Sequence, residues 1–167
     1  QLRAAAVPLE ADTLIATNEP RFLIDDAPQP ARLSQLVATT GADEVPIEMT
    51  EDFKCLATAV YFESRGEPLE GQLAVAQVIQ NRVESGRYAS SICGVVYQPG
   101  QFTFARNRSP ALSSNDWKVA QAIALIALTD SYREVAPKAM SFHATRVSPN
   151  WTDRRMVSRI GNHIFYR

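Results

Sequence analysis

The chain has 167 residues, 46% hydrophobic and 21% charged, with a net charge of −1; this is the make-up of one globular domain with a sizeable core, not of a disordered or fibrous chain. No apolar run approaches the ~20 residues that cross a bilayer, so no transmembrane helix is expected. No basic, apolar leader opens the chain, and a start at Gln1 suits a processed or trimmed product. The small net charge hides an asymmetry. Residues 1–52 hold three arginines against ten acids, a net −7, whereas residues 53–167 hold fourteen basic against eight acidic side chains, a net +6.

The first 46 residues contain five of the ten prolines and no sustained apolar period. Residues 1–45 therefore read as an extended acidic arm, with room for short helical pieces around Leu33–Val37, and residues 46–167 as the domain proper. The arm is either an inert tether or, drawn by charge toward the basic domain, a restraint over its groove. From Thr50 to Ser64 the apolar residues Phe53, Leu56, Ala57, Val60 and Tyr61 fall on one helical stripe, with Glu51 and Asp52 favouring its N-terminus. Gly66 and Pro68 then break the helix. A second helix, from about Glu70 to Glu84, is almost continuously apolar on one side and reads as central and buried; Ser85-Gly86 ends it. After a long loop, Ser114 caps a third helix from about Asp116 to Ser131. Runs at Ala139–Ala144 and Ile160–Tyr166 read as a small strand pair.

Glu63 is the best candidate for a catalytic acid. It stands in the last turn of the first helix, where the negative end of the macrodipole and partial burial both disfavour its charged form and raise its pKa, as a general acid requires. Glu67 is the nearest second carboxylate, but the break at Gly66 and Pro68 removes the regular i, i+4 geometry. Its competing role is to pair with Arg65 or Arg82, or to cap the next helix. Cys55 and Cys93 are the only cysteines; two buried thiols and a bridge between helix and loop are both compatible with their placement, and no Cys-x-x-Cys or nearby histidine completes a metal site. The histidines, His143 and His163, lack an assigned carboxylate partner, so neither a metal nor a cofactor is expected.

Several ordered motifs carry a family resemblance. Ala-Val-Tyr-Phe-Glu-Ser-Arg-Gly-Glu-Pro, Gly-Gln-Leu-Ala-Val-Ala-Gln-Val-Ile-Gln-Asn-Arg-Val, Ser-Ile-Cys-Gly-Val-Val-Tyr-Gln and Gln-Phe-Thr, within residues 55–104, resemble the SleB/CwlJ-type cell wall hydrolases. Arg-Ile-Gly-Asn-His-Ile-Phe-Tyr, at 159–166, resembles that family's closing signature. The likeness covers residues 53–167, with Tyr88-Ala89 standing where a Phe-Pro pair is expected and Thr103 where serine is frequent. It implies a mainly α (α+β) fold: a lysozyme-like lytic transglycosylase domain with a small β-hairpin, preceded here by the arm. It also implies cleavage of the β-1,4 bond between N-acetylmuramic acid and N-acetylglucosamine in peptidoglycan, with Glu63 as general acid and base. A lytic transglycosylase needs one acid, because the muramic 6-hydroxyl closes an anhydro ring, and the lack of an obvious second carboxylate agrees with this. A hydrolytic muramidase and a non-catalytic peptidoglycan-binding module are the alternatives.

Such an enzyme would act outside the cytoplasm, in the periplasm or cell wall, which favours a Cys55–Cys93 disulfide. The basic charge of the domain suits an anionic polymer, and no nucleic-acid motif accompanies it. Candidate substrate contacts are Tyr61 beside the acid, Gln101 and Phe102 in a loop shared with Tyr97 and Phe104, His143 on its strand, and Trp151 as a saccharide platform. Core packing is the competing role of each aromatic. Asn81 and Arg82, near the end of the buried helix, are expected to brace the acid's loop through buried polar contacts.

Overall fold

The computed structural model describes residues 31–102 and 107–167. Five α-helices and three strands follow in order among these residues: α1 (Leu33–Thr39), α2 (Thr50–Ser64), α3 (Leu69–Glu84), α4 (Ile92–Val96), α5 (Asn115–Leu128), β1 (Ser141–Ala144), β2 (Met156–Ile160) and β3 (His163–Tyr166). The stripe that predicts the first helix does bury itself: Phe53, Leu56, Ala57, Val60 and Tyr61 all lie in the core. α3 is buried at every position from Gly71 to Ile79 and packs against α2, α4 and α5, the central place its continuous apolar character requires. Ser114 caps α5 by accepting a hydrogen bond from the Trp117 backbone N–H at 3.1 Å. Gly66, just past α2, takes φ +81°, a left-handed conformation that ends the helix within one residue of Glu63's turn.

Three features differ from the sequence reading. The compact unit begins at Ala31 and not at residue 46. Leu33 is 2% exposed, and Leu36 and Val37 pack beside it, so α1 presents an i, i+3, i+4 face that rests on α5 and α3. Seven residues are too few for this periodicity to stand out against the proline-rich, acidic surroundings. The arm's remainder, residues 1–30, lies outside the described residues, and with it the expected restraint over the groove. Second, Cys93 sits not in a loop but in the short helix α4, started by Ser91, whose hydroxyl accepts from the Gly94 N–H at 3.0 Å.

Third, the expected hairpin is a three-stranded antiparallel sheet in the order β1-β3-β2. The run expected as one strand at 160–166 is cut by a two-residue turn, Gly161-Asn162, with Ile160 paired to His163 across it. Gly161 has φ +55°, which a glycine in the first turn position supplies. β2 went unread because it is half exposed and its pairing with β3 is irregular between Met156 and Ser158.

A disulfide joins Cys55 of α2 to Cys93 of α4. Closing 38 residues of chain restricts the unfolded state by about 4 kcal/mol in the chain-entropy treatment. Replacing both cysteines with alanine should lower the unfolding free energy by that order. Urea titrations of wild type with and without reductant, beside the double variant, check it: the reduced wild type and the variant should coincide.

Candidate active site

Glu63 projects from the last turn of α2 into a cleft of about 460 Å³. Phe62, Glu63, Arg65 and Glu67 form one wall, from the end of α2 and the turn after it. The other wall comes from β1 and the residues that follow it, Phe142 to Arg146, and from Asn162 and His163 at the β2–β3 turn. Burial pushes the Glu63 carboxyl up from 4.5 to about 7, against an opposing pull from the Arg82 guanidinium. No ion pair within salt-bridge distance neutralises Glu63 among the described residues. The group is thus poised to give up and take back a proton near neutrality.

Glu67 lines the same cleft but is occupied. Its Oε2 accepts the Asn162 backbone N–H at 2.8 Å and its Oε1 accepts Asn162 Nδ2 at 3.1 Å. The expected partners, Arg65 and Arg82, are replaced by a residue 95 positions away; the hairpin turn supplies two donors in the geometry a carboxylate accepts, which a long flexible arginine does not need to do. Gln72 Nε2 donates to the Glu67 carbonyl at 3.0 Å, so backbone and side chain of this residue are both held. A Cβ on Gly161 would collide with the Glu67 carboxylate and stand 2.7 Å from Pro68 Cδ, so only glycine lets the turn approach this closely.

Arg82 and Asn81 brace a different segment from the one expected. Arg82, 7% exposed, donates through Nε to the Met140 carbonyl at 2.8 Å and through Nη1 to Gln101 Oε1 at 3.0 Å. Asn81 Nδ2 donates to the Ala139 carbonyl at 3.0 Å. Both therefore hold the entry into β1, the far wall of the cleft, whereas the loop after Glu63 is held by Glu67 and Gln72. Burial lowers the pKa of Arg82, with Tyr88 acting against it, and its guanidinium lies over the Tyr88 and Phe102 rings at 5.0 and 5.6 Å.

The remaining candidates divide. His143 lines the cleft, its Nε2 paired with the Tyr166 hydroxyl at 2.9 Å and its Nδ1 with the Ala144 carbonyl at 2.8 Å. Tyr61 is 6% exposed, edge-on to Phe62 and Trp117, and its hydroxyl accepts the Ala111 N–H at 3.3 Å. It is a core residue that orients α2 and offers no face to a sugar. Phe102 is likewise 6% exposed within the core, and the Gln101 carbonyl is already taken by Arg82. Neither lines this cleft, and Phe104 lies outside the described residues. Trp151 stands off the cleft, edge-on to His143 and Tyr166, with Arg154 over its ring at 4.0 Å.

The two histidines occupy opposite faces of the sheet. His143 pairs with Ile164 and His163 with Ala144, and strand side chains alternate, so Phe142, His163 and Phe165 pack on one face while His143, Tyr166 and Trp151 stack on the other. That arrangement cannot close both imidazoles on one ion. His163 is 8% exposed, and burial lowers its pKa against the raising influence of Glu67, whose Oε2 lies 4.0 Å from Nδ1. Phe142, Arg146 and Asn162 line the cleft without having been singled out from sequence, and Arg65, read there only as a partner for Glu67, lines it too. The Gly161-Asn162 dipeptide between apolar runs was the one signal that could have found part of this wall.

A mostly helical domain carrying a small antiparallel sheet, with a partly buried glutamate at a helix end facing that sheet, defines the class: the chain belongs to the cell wall hydrolase family, whose pattern matches residues 66–166. That match begins three residues after Glu63. Among solved structures, the chain resembles the catalytic domain of the germination-specific lytic transglycosylase SleB from Bacillus anthracis, with 33% identity and a TM-score of 0.64 over 74% of this chain and 100% of that one. It also resembles the catalytic domain of SleB from Bacillus cereus, with 31% identity and a TM-score of 0.60 over 71% of this chain and 91% of that one. The spore cortex-lytic enzyme of Bacillus subtilis is 36% identical over 118 residues, 68% of this chain and 37% of that protein. The chain thus matches about two fifths of the length of the curated relatives.

The Glu63 environment has a thermodynamic signature. Below the ordinary value of 4.5 both folded and unfolded chains hold the proton; as pH rises toward 7 the unfolded chain ionises first, so folding loses stability. The loss is on the order of 3 kcal/mol once pH exceeds the folded value. Glu63→Gln should therefore match wild type in urea at a pH of about 4 and exceed it at about 8. Glu67→Ala, which strips Asn162 of both acceptors, should cost on the order of 2 kcal/mol at either pH. Equilibrium unfolding at the two pH values checks both.

Proposed function

We propose that this chain cleaves peptidoglycan glycan strands at the β-1,4 bond between N-acetylmuramic acid and N-acetylglucosamine, as a lytic transglycosylase. The observation that carries the reading is a single available carboxylate: Glu63, held near pKa 7 by burial in a cleft whose other acid, Glu67, is tied up by Asn162. Protonated Glu63 donates its proton to the bridging oxygen as the bond to the muramic C1 breaks and oxocarbenium character develops. The resulting carboxylate then accepts the proton of the muramic 6-hydroxyl as that oxygen bonds to C1, leaving a 1,6-anhydro end and a glutamic acid ready for the next turnover. One residue serves as acid and then base, so no second carboxylate is required. The name of the Bacillus anthracis relative, a lytic transglycosylase, supports this outcome over a hydrolytic muramidase.

Action outside the cytoplasm, in periplasm or wall, follows from such a substrate, and the disulfide suits an oxidising compartment. A binding module without turnover would have no need of a glutamate buried at an energetic cost, which favours catalysis.

Glu63→Gln should lower glycan cleavage ~100-fold or more while preserving wall binding, since the amide keeps the shape but carries no transferable proton. Digests of purified walls, followed by mass spectrometry, should give anhydromuramic ends; reducing muramic ends would assign a muramidase instead. The rate should fall about tenfold per pH unit above the Glu63 pKa of about 7, because only the protonated acid starts the reaction.

A further inference from the structure

The walls of the Glu63 cleft carry two arginines with no task in bond cleavage. Arg65 is the residue at which α2 ends, and it is exposed. Its guanidinium lies 4.8 Å from the Tyr61 ring centroid and 5.8 Å from that of Phe62, so stacking holds the side chain while leaving its N–H fork open. Arg146 stands across the cleft, also exposed, in the turn that follows β1. That turn is fixed by two backbone bonds: the Thr145 N–H to the Asn162 carbonyl at 2.8 Å and the Val147 N–H to the Ala144 carbonyl at 2.9 Å.

Among the described residues no carboxylate lies within salt-bridge distance of Arg65 or Arg146. Among the described residues the only acids lining the cleft are Glu63, which has to keep a proton to act, and Glu67, whose two oxygens are committed to Asn162. A third cation, Arg108, sits 5.2 Å from the Phe62 ring centroid and adds to the positive potential at the same end.

We propose that Arg65 and Arg146 form a carboxylate-binding subsite, which selects glycan strands whose sugars carry an acidic substituent. The inference rests on the glycan-cleaving function proposed above and names what that cleft recognises besides the sugar ring. Two chemical sources present such a group on a muramoyl strand: the lactyl ether at C3, when free, and the carboxylates of the peptide attached to it. A neutral N-acetylglucosamine polymer presents neither. A guanidinium fork binds a carboxylate through two parallel hydrogen bonds, so the subsite would add affinity for strands that carry one.

The test uses wild type, Arg65→Gln, Arg146→Gln and the double variant on three substrates. These are glycan strands with their peptides, the same strands after amidase removal of the peptides, and peptide-bearing strands whose carboxylates have been capped beforehand as methylamides. On the peptide-bearing strands each substitution should lower kcat/KM about tenfold, through KM with kcat maintained, as the loss of a charge-assisted hydrogen bond predicts. Wild type should lose a comparable factor on the capped strands, where the substitutions should cost little more. Equal losses on capped and uncapped strands would overturn the proposal and leave the arginines a structural role.

Arginine dependence that survives peptide removal assigns the lactyl carboxylate; dependence that disappears assigns the peptide. Sedimentation with intact walls, in the Glu63→Gln background, reads the subsite without turnover: native walls should bind more tightly than capped ones, and the arginine substitutions should erase the difference. Absence of cleavage by wild type on every strand would count against the catalytic reading alone, because the binding comparison still decides the subsite.

Discussion

The two hydrogen bonds from Asn162 to the Glu67 carboxylate join parts of the chain 95 residues apart, and they tie the two walls of the cleft to each other. One side of this link is the turn that stops α2 directly after Glu63; the other is the hairpin turn between β2 and β3. Cleft walls made of a helix end and a sheet end share no regular backbone ladder, so their separation must be set by side chains. A carboxylate that accepts a backbone N–H and a side-chain N–H from the same residue fixes both distance and orientation. Gly161 is the complement of that arrangement, since any Cβ there would force the turn away from Glu67 and Pro68.

Electrostatics at the site follow from packing. α3 packs against α2, α4 and α5, and burial at the end of α2 withdraws Glu63 from water. Arg82, a buried charged group on α3, opposes protonation of Glu63 and would do so more strongly if it paired with it. Its donors go instead to the Met140 carbonyl and to Gln101, which holds the guanidinium against β1 and leaves desolvation the larger influence on the acid. The same arginine therefore builds the opposite wall of the cleft without quenching the group that the cleft serves.

The helices, and the place of Glu63 in the last turn of one of them, were legible in the sequence because each is encoded locally. Thr50–Ser64 is predicted and observed with the same ends, since acids open it and Gly66 closes it; Ser114 caps α5 through a hydroxyl three residues before the N–H it accepts. What was not legible depends on distant chain. Glu67 looked for an arginine because its true partner lies at the other end of the sequence. Tyr61 and Phe102 read as sugar contacts because an aromatic beside an acid has no local mark that tells core from cleft, and burial decided both. β2 lacked a clean alternation; Arg65 was read only as a partner for Glu67, and Arg146 drew no notice because an isolated arginine carries no pattern of its own.

The Cys55–Cys93 bridge is anchored within α2 eight residues, or about 12 Å of helix, before Glu63. It acts on the chain as a whole more than on the chemistry. A stabilisation of about 4 kcal/mol is a large share of the 5–15 kcal/mol by which a domain of this size holds together. Thiol oxidation thus becomes a gate on maturation: a chain whose cysteines stay reduced populates unfolded forms several hundredfold more than its oxidised counterpart, at a free-energy difference of about 4 kcal/mol. An oxidising surrounding, by closing one bond, commits the polypeptide to its working shape.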